Sequence, residues 1–336
     1  MKNAQGFYSK ITGTGSAFPS KVLTNDDLAK KVETSDEWIR ERTGIRERRI
    51  SDVRLPHERN SGLGHQAAVR ALEMAGRRAD EIDTILYATC TPDTLLPSTA
   101  SWLQSKLGAK NAWGLDVNAA CSGFVSGLAV ADQFIRSGQS KVALVVGADV
   151  LSAMTDWEDR ASCILFGDGA GAVILERTED EKGSRILSTQ MGLDGDLWEL
   201  FHIPAGGSNQ EVTPEKYAAR DNKMKMKGKE IFKYAVRGMA DLATQALEKN
   251  GLKVSDIDWV IAHQANLRII EAVAKRIDLP MEKMLVNIDV YGNTSAGTVP
   301  SVLDQSVRSG KIKRGQLVLL DVFGSGLTYG SALVRF

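Results

Sequence analysis

The chain repeats itself, and that repeat constrains its fold more than any other feature of its 336 residues. ALEMAGRRADEID at 71–83 recurs as ALEKNGLKVSDID at 246–258, an offset of 175, and an apolar run follows each copy, TILYAT or WVIAHQ. DQFIRSG at 132–138 recurs as DQSVRSG at 304–310, now at an offset of 172. VALVVGAD and QLVLLDVF come next, then FGDGAGAVIL and FGSGLTYGSALV. Chance gives one such match; a series in the same order means a duplicated unit. Helical segments alternate in each unit with short strands that are apolar on both faces, as strands covered by helices on both sides must be. Two such units packed about a pseudo-twofold axis predict an α/β fold in five layers, α/β/α/β/α. The N-terminal half is expected over 1–176 and the C-terminal half over 177–336, with the second half's first strand and an irregular Lys-rich insert between about 176 and 230. No Pro- or Ser-rich linker separates them, which predicts one body.

The candidate chemistry starts at DVNAACSGF, residues 116–124. Subtracting the 172 offset of the DQ segments from Asn293 gives position 121, so Cys121 and Asn293 are expected at equivalent places. Each is expected to follow a short strand and a small-residue turn and to open a helix. His263 comes directly after the strand WVIA, at a strand end where α/β proteins place their sites. A helix N-terminus favours a thiolate, and small neighbours leave backbone N–H groups free for an oxyanion. Taken alone, Cys121 reads rather as a small hydrophobe in tight packing, and His263 equally as a satisfied strand-end histidine. The duplication, with Asn293 opposite, favours a site.

Composition narrows the partners. Lys+Arg and Asp+Glu are both 42, so no bulk attraction for nucleic acid or a membrane surface exists, although a local basic patch is allowed. The opening MKNAQGFYSK has no apolar core of a signal sequence, and no long apolar run follows, which predicts a cytoplasmic protein. Three cysteines, Cys90, Cys121 and Cys163, make neither a disulfide framework nor a zinc site. The glycine runs GTGSAFP and GDGAGA lack the GK[ST] ending of a phosphate loop. The second is expected to be a turn between paired strands.

TSDEWIRERTGIRER, AACSGF, HQANLRII, YGNTSAGTVP and GQLVLLDVFGSGLTYGSALVRF, in that order, resemble the thiolase-fold condensing enzymes of the β-ketoacyl-acyl-carrier-protein synthase III family. The resemblance runs from about residue 8 to the end. It implies a Cys-His-Asn triad at Cys121, His263 and Asn293. Cys121 takes an acyl group from an acyl-CoA starter, with acetyl-CoA expected. His263 and Asn293 stabilise the enolate left when malonyl-acyl carrier protein loses CO₂, and the condensation begins fatty acid synthesis. The resemblance also implies an oxyanion hole from the backbone N–H groups of Cys121 and Ser325, where relatives often have glycine. Phe323 is expected beside the nucleophile. Contacts to coenzyme A are implied for Thr34, Trp38, Arg42, Arg160, Gly228, Asn266 and Arg268. Acyl carrier protein, being acidic, is expected on Gln264, Ala265, Asn266, Leu267, Arg268, Lys275, Arg276 and Lys233, with Lys225, Lys227 and Lys229 nearby. Leu96 stands where relatives often place an aromatic that reaches into the partner of a homodimer. Neither a metal nor a resident cofactor is implied.

Three other readings share parts of this pattern. A polyketide or alkylquinolone priming enzyme keeps the triad and changes the acceptor. A cysteine hydrolase wants a base oriented by a carboxylate, and none adjoins His263 in sequence. A non-catalytic acyl-CoA binder lacks a triad member, and here all three are present.

Overall fold

The computed structural model describes residues 6–336. Tyr8–Ala17 (β1), Thr84–Ala88 (β2), Trp113–Val117 (β3), Val142–Val150 (β4) and Asp168–Thr178 (β5) form one sheet in the order β1-β5-β4-β2-β3. Arg185–Leu193 (β6), Trp259–Ala262 (β7), Leu317–Gly324 (β8) and Thr328–Arg335 (β9) form a second, in the order β6-β9-β8-β7. In each sheet the inner pair is antiparallel (β4 with β5, β8 with β9), and β2 or β7 adds parallel to it. Four strands therefore repeat in the same order. The fifth does not: the offset of 175 carries β3 onto 288–292, where Ile288–Tyr291 is one turn of helix. Asn293 thus follows a helical turn rather than the expected strand. Strand β5 runs to Thr178, past position 176, and the Lys-rich insert is built mainly of loops, short helical turns and a two-residue ribbon, Phe201–His202 with Lys225–Met226.

Strand alternation builds the layers. Ala143 and Val145 of β4 face a central cluster with Phe124 and Val299, while Leu144, Val146 and Ala148 face the outer side. Helices Gly123–Arg136 (α2) and Thr298–Arg308 (α5) fill the centre between the sheets. Asn60–Ala75 (α1) covers the first sheet outside, and Gly228–Lys249 (α3) with Leu267–Arg276 (α4) covers the second. The five layers are α/β/α/β/α. Each Leu, Ile or Phe buried here contributes about 1.5–3 kcal/mol over its exposed state.

The two glycine runs are structural. A Cβ on Gly13 or Gly15 would lie 2.1 Å from the carbonyl oxygens of Ala71 and Ala67, so these glycines let α1 rest directly on β1. GDGAGA lies mostly inside β5 rather than in a turn. A small hairpin, Lys21–Thr24 with Glu47–Ile50, carries the helix Asp36–Thr43. Fully buried Arg48 pins that hairpin, donating to Leu23 O, Asn25 Oδ1 and Ile164 O.

Candidate active site

Two turns meet between the halves. Ala120–Ser122 is one 3₁₀ turn that leads into α2, and Ser295–Gly297 is one that leads into α5. Ala120 (φ 45°) and Ser295 (φ 53°) both take the left-handed conformation, and they are 175 apart. The structural equivalence is therefore Asn118 with Asn293 and Cys121 with Ala296. The pairing of Cys121 with Asn293 is corrected: α5 is three residues shorter than α2 and the loop after it three longer, so the 172 offset holds only around the helix ends. Glycines seat both turns. A Cβ on Gly324 would meet Ala119 O and Ser122 N at 3.0 Å, and one on Gly147 would meet Ala296 O at 2.2 Å.

Cys121 is 6% exposed and opens on a cavity of about 400 Å³. Leu151, Met154, Phe166, Phe201 and Met224 give it an apolar wall, and Cys90, Ser295, Ser325 and Thr328 also line it. Burial pushes the Cys121 thiol up to about 12, with the Ser295 hydroxyl beside it offsetting part of the rise. Burial thus favours the neutral thiol in the resting site over the thiolate the sequence suggested, and the Asp149 carboxylate pushes the same way. The N–H of Ser325 donates to no backbone carbonyl in the turns and loops of the described residues. Ser122 Oγ lies 2.6 Å from Thr328 Oγ1 and 2.7 Å from Ala119 O, tying the Cys121 turn to the start of β9. Ser325 does not take a positive φ, so a serine is unstrained there; the left-handed residues of that turn are Gly326 and Leu327.

His263 and Asn293 do not line this cavity. Both are fastened to the Ser295 turn instead. Asn293 Oδ1 accepts from Ser295 N at 2.8 Å, which fixes the amide and leaves Nδ2 with both protons free. His263 Nδ1 lies 2.8 Å from Thr298 Oγ1, itself 2.9 Å from Ser295 O. Burial pulls the His263 imidazole down to about 3, so it is neutral at working pH. A carboxylate that sequence reasoning missed stands behind the turn: Asp149, at the end of β4, accepts from Cys90 N at 2.9 Å and Ala296 N at 3.3 Å. A charged residue closing a fully buried strand was the available signal. Asp321 of β8 is buried with neither carboxyl oxygen partnered, and burial raises its pKa well above the usual range.

Comparison with known proteins decides the family. The model of 3-oxoacyl-[acyl-carrier-protein] synthase III matches residues 115–195, and that of its C-terminal region matches 247–336. A β-ketoacyl-[acyl-carrier-protein] synthase III from Xanthomonas campestris is 53% identical over 98% of each chain. The chain belongs to the β-ketoacyl-acyl-carrier-protein synthase III family. It is accordingly an acyltransferase-type condensing enzyme with a thiolase fold. The crystal structure of the Aquifex aeolicus synthase III is 46% identical, with a TM-score of 0.89, and covers 98% of this chain and 100% of its own. The priming β-ketosynthase of the R1128 polyketide pathway is 34% identical with a TM-score of 0.88, covering 97% and 96%.

The remaining synthase III residues divide sharply. Two guanidinium groups approach the Trp38 ring, Arg42 at 4.3 Å and Arg160 at 5.0 Å from the centroid. Thr34 Oγ1 is buried without a partner, and exposed Gly228 begins α3. Asn266 caps α4 by accepting from Arg268 N at 2.9 Å. Arg268 and Lys275 are exposed on α4, Lys233 is exposed on α3, and Arg276 lies 3.6 Å from Asp241. Lys225 is turned to Asp156 at 3.8 Å.

Two expectations fail. Gln264 is fully buried, donating to Ala262 O and accepting from Asn287 N, so it presents nothing to a docking protein; Ala265 and Leu267 beside it are half-buried. Phe323 sits not in the Cys121 cavity but against Tyr329 in the outer cluster, because Val322 takes the central face of β8. Leu96 lies on an outward loop, 87% exposed.

Proposed function

We propose that this synthase III condenses an acyl-CoA starter, acetyl-CoA first among them, with malonyl-acyl carrier protein through an acyl-Cys121 intermediate. The observation that carries the reading is the Ser295 turn, which ties His263 and Asn293 to the wall beside the Cys121 thiol. Cys121 attacks the starter thioester, the N–H groups of Cys121 and Ser325 receive the oxyanion, and coenzyme A leaves carrying the thiol proton. Malonyl-acyl carrier protein then loses CO₂. His263 Nε2–H and Asn293 Nδ2–H donate to its thioester oxygen while charge develops there. The carbanion attacks the acyl-Cys121 carbonyl, the thioester C–S bond breaks, β-ketoacyl-acyl carrier protein forms, and Cys121 leaves as a thiolate that takes a proton from water. The reading calls for no cofactor, because both substrates arrive as activated thioesters.

Trp38, stacked by Arg42 and Arg160, is suited to an adenine and its phosphates, with Thr34, Gly228, Asn266 and Arg268 along the route inward. Arg268, Lys275, Arg276 and Lys233 form the docking face for the acidic carrier. A homodimer completes the assembly. Edge strand β3 exposes Trp113 and Leu115, and Leu95 and Leu96 project nearby with 89% and 87% exposure. A second cavity of about 700 Å³ shares Cys90 and Met154 with the chamber over Cys121. Leu96 of a second copy would close it and help bound the starter. Among the described residues no helix is long and apolar enough to cross a membrane, and the proposed site of action is the cytoplasm.

The test is a panel of acyl-CoA starters followed by malonyl-acyl carrier protein, with products and peptides read by mass spectrometry. An adduct on Cys121 and a β-ketoacyl-acyl carrier protein are expected. Release of the acyl group to water, or use of malonyl-CoA in place of the carrier, would overturn the assignment.

A further inference from the structure

His263 has two ring nitrogens, and its role depends on which one carries the proton. Among the described residues no carboxylate bonds to the ring, and its one bonded partner is Thr298 Oγ1, 2.8 Å from Nδ1, on a residue 1% exposed at the first position of α5. That hydroxyl has one proton and two acceptors within reach, Nδ1 and Ser295 O at 2.9 Å. Ser295 O already accepts the backbone N–H of Thr298, which closes the 3₁₀ turn. The hydroxyl proton is therefore not needed there, whereas Nδ1 has no other donor.

We propose that Thr298 is the positioning residue of His263: its hydroxyl donates to Nδ1, holds the proton on Nε2, and makes the ring a hydrogen-bond donor to the malonyl thioester oxygen rather than a base toward Cys121. The inference rests on the condensation reading and refines it. The ring stays neutral throughout, so no proton enters or leaves His263 during the cycle. The thiol proton of Cys121 passes to the departing coenzyme A sulfur by another path. The opposite tautomer would aim a bare nitrogen at the developing negative charge, an unfavourable contact where water is excluded. The same arrangement gives a use to the hydroxyl that opens α5 where Gly123 opens α2, 175 positions earlier.

The direct test is nitrogen NMR of protein carrying labelled histidine, since ring nitrogen shifts separate a protonated from a bare nitrogen and the chain has four histidines. At neutral pH the His263 resonances should show Nε2–H and bare Nδ1. The opposite pattern overturns the proposal without any variant. Thr298→Val should then reduce malonyl decarboxylation about tenfold to a hundredfold, less than loss of a donor outright, while Cys121 acylation changes far less. Thr298→Ser should restore decarboxylation. Equal loss in both half-reactions, or no rescue by Ser, refutes the role. Failure of the condensation reading looks different: no acyl-CoA would label Cys121 at all. If Thr298→Val does not fold, the wild-type spectrum alone decides.

Discussion

Burial of His263 makes protein stability depend on pH in a way that one substitution isolates. The ring is 2% exposed, and its pKa falls to about 3 from an unfolded value of 6.5. The depressed value means that below pH 6.5 the unfolded chain binds a proton that the native ring refuses. Stability from this group is complete above about pH 6.5, is lost as pH falls, and levels off only near the folded pKa of about 3. Linkage over the interval from pH 7 to pH 5 gives a loss of about 2 kcal/mol, and each further unit down to the folded pKa adds about 1.4 kcal/mol. Other groups titrate in the same range, so the quantity to measure is a difference. Urea denaturation of the wild type and of His263→Gln at pH 7, 6 and 5 gives two stability curves. The wild-type curve should fall toward the variant's by about 2 kcal/mol over that interval. Parallel curves would show that the ring protonates freely in the native state, and a widening gap would place an unseen carboxylate against it. Either result removes the neutral imidazole on which the condensation mechanism depends.

Four other outcomes follow from the same geometry. Acyl-CoA should label Cys121 and neither Cys90 nor Cys163, and Cys121→Ser should abolish condensation with the fold intact, as peptide mapping and circular dichroism would show. His263→Ala or Asn293→Ala should each remove about 2.7–4 kcal/mol of transition-state stabilisation from decarboxylation yet spare much of the acylation, measured separately with malonyl-acyl carrier protein and labelled acyl-CoA. Gly324→Ala puts a Cβ 2.7 Å from Thr328 Oγ1 and 3.0 Å from Ala119 O; it should lower stability by about 1–3 kcal/mol and slow acylation, and a wild-type rate would mean the Cys121 turn is not held by β8. Lys275→Glu should weaken use of malonyl-acyl carrier protein, most at low salt, and leave acyl-CoA labelling of Cys121 nearly unchanged; equal loss in both would exclude this face as the docking site.

The five layers were legible in the sequence because duplication leaves matched segments, and alternating burial then dictates which strand faces which layer. The catalytic equivalence was misread for a physical reason. A helix that loses three residues while its following loop gains three shifts the register only between those points, so DQ against DQ misplaces everything upstream. The better sequence anchor was the asparagine of NAACSG against that of NTSAGT, which matches the left-handed turn residues Ala120 and Ser295. The thiol's protonation was not legible, since it reflects the depth of an apolar chamber assembled from residues as distant as Leu151, Phe201 and Met224. Nor was the fate of HQAN. Its glutamine turns inward to bond Ala262 and Asn287 and its asparagine caps α4, so a motif that reads as continuous docking surface is largely internal scaffold.

Superposing the two turns shows how one ancestral element supports two opposed chemical demands. The first has Ala119, Ala120 and Gly123 where the second has Thr294, Ser295 and Thr298, and only Ser122 against Gly297 runs the other way. In the proposed acylation the wall around the thiol would contribute bulk and no charge, and backbone N–H groups would receive the transient oxyanion. The second turn has no nucleophile; Ala296 occupies that place. Its hydroxyls and amides organise donors instead, Ser295 N holding the Asn293 amide and Thr298 bonding His263. An enolate needs neutral donors that do not reorganise as charge appears, and a turn fastened by its own backbone meets that need. Had one turn carried both tasks, donors placed for the enolate would sit against the acyl group during the first half-reaction, or the apolar wall would face the developing charge in the second. Splitting the work across a pseudo-twofold axis avoids both conflicts. It also accounts for Ser295, whose hydroxyl lies beside the thiol while its backbone holds both donors: it is the one residue in register with both demands.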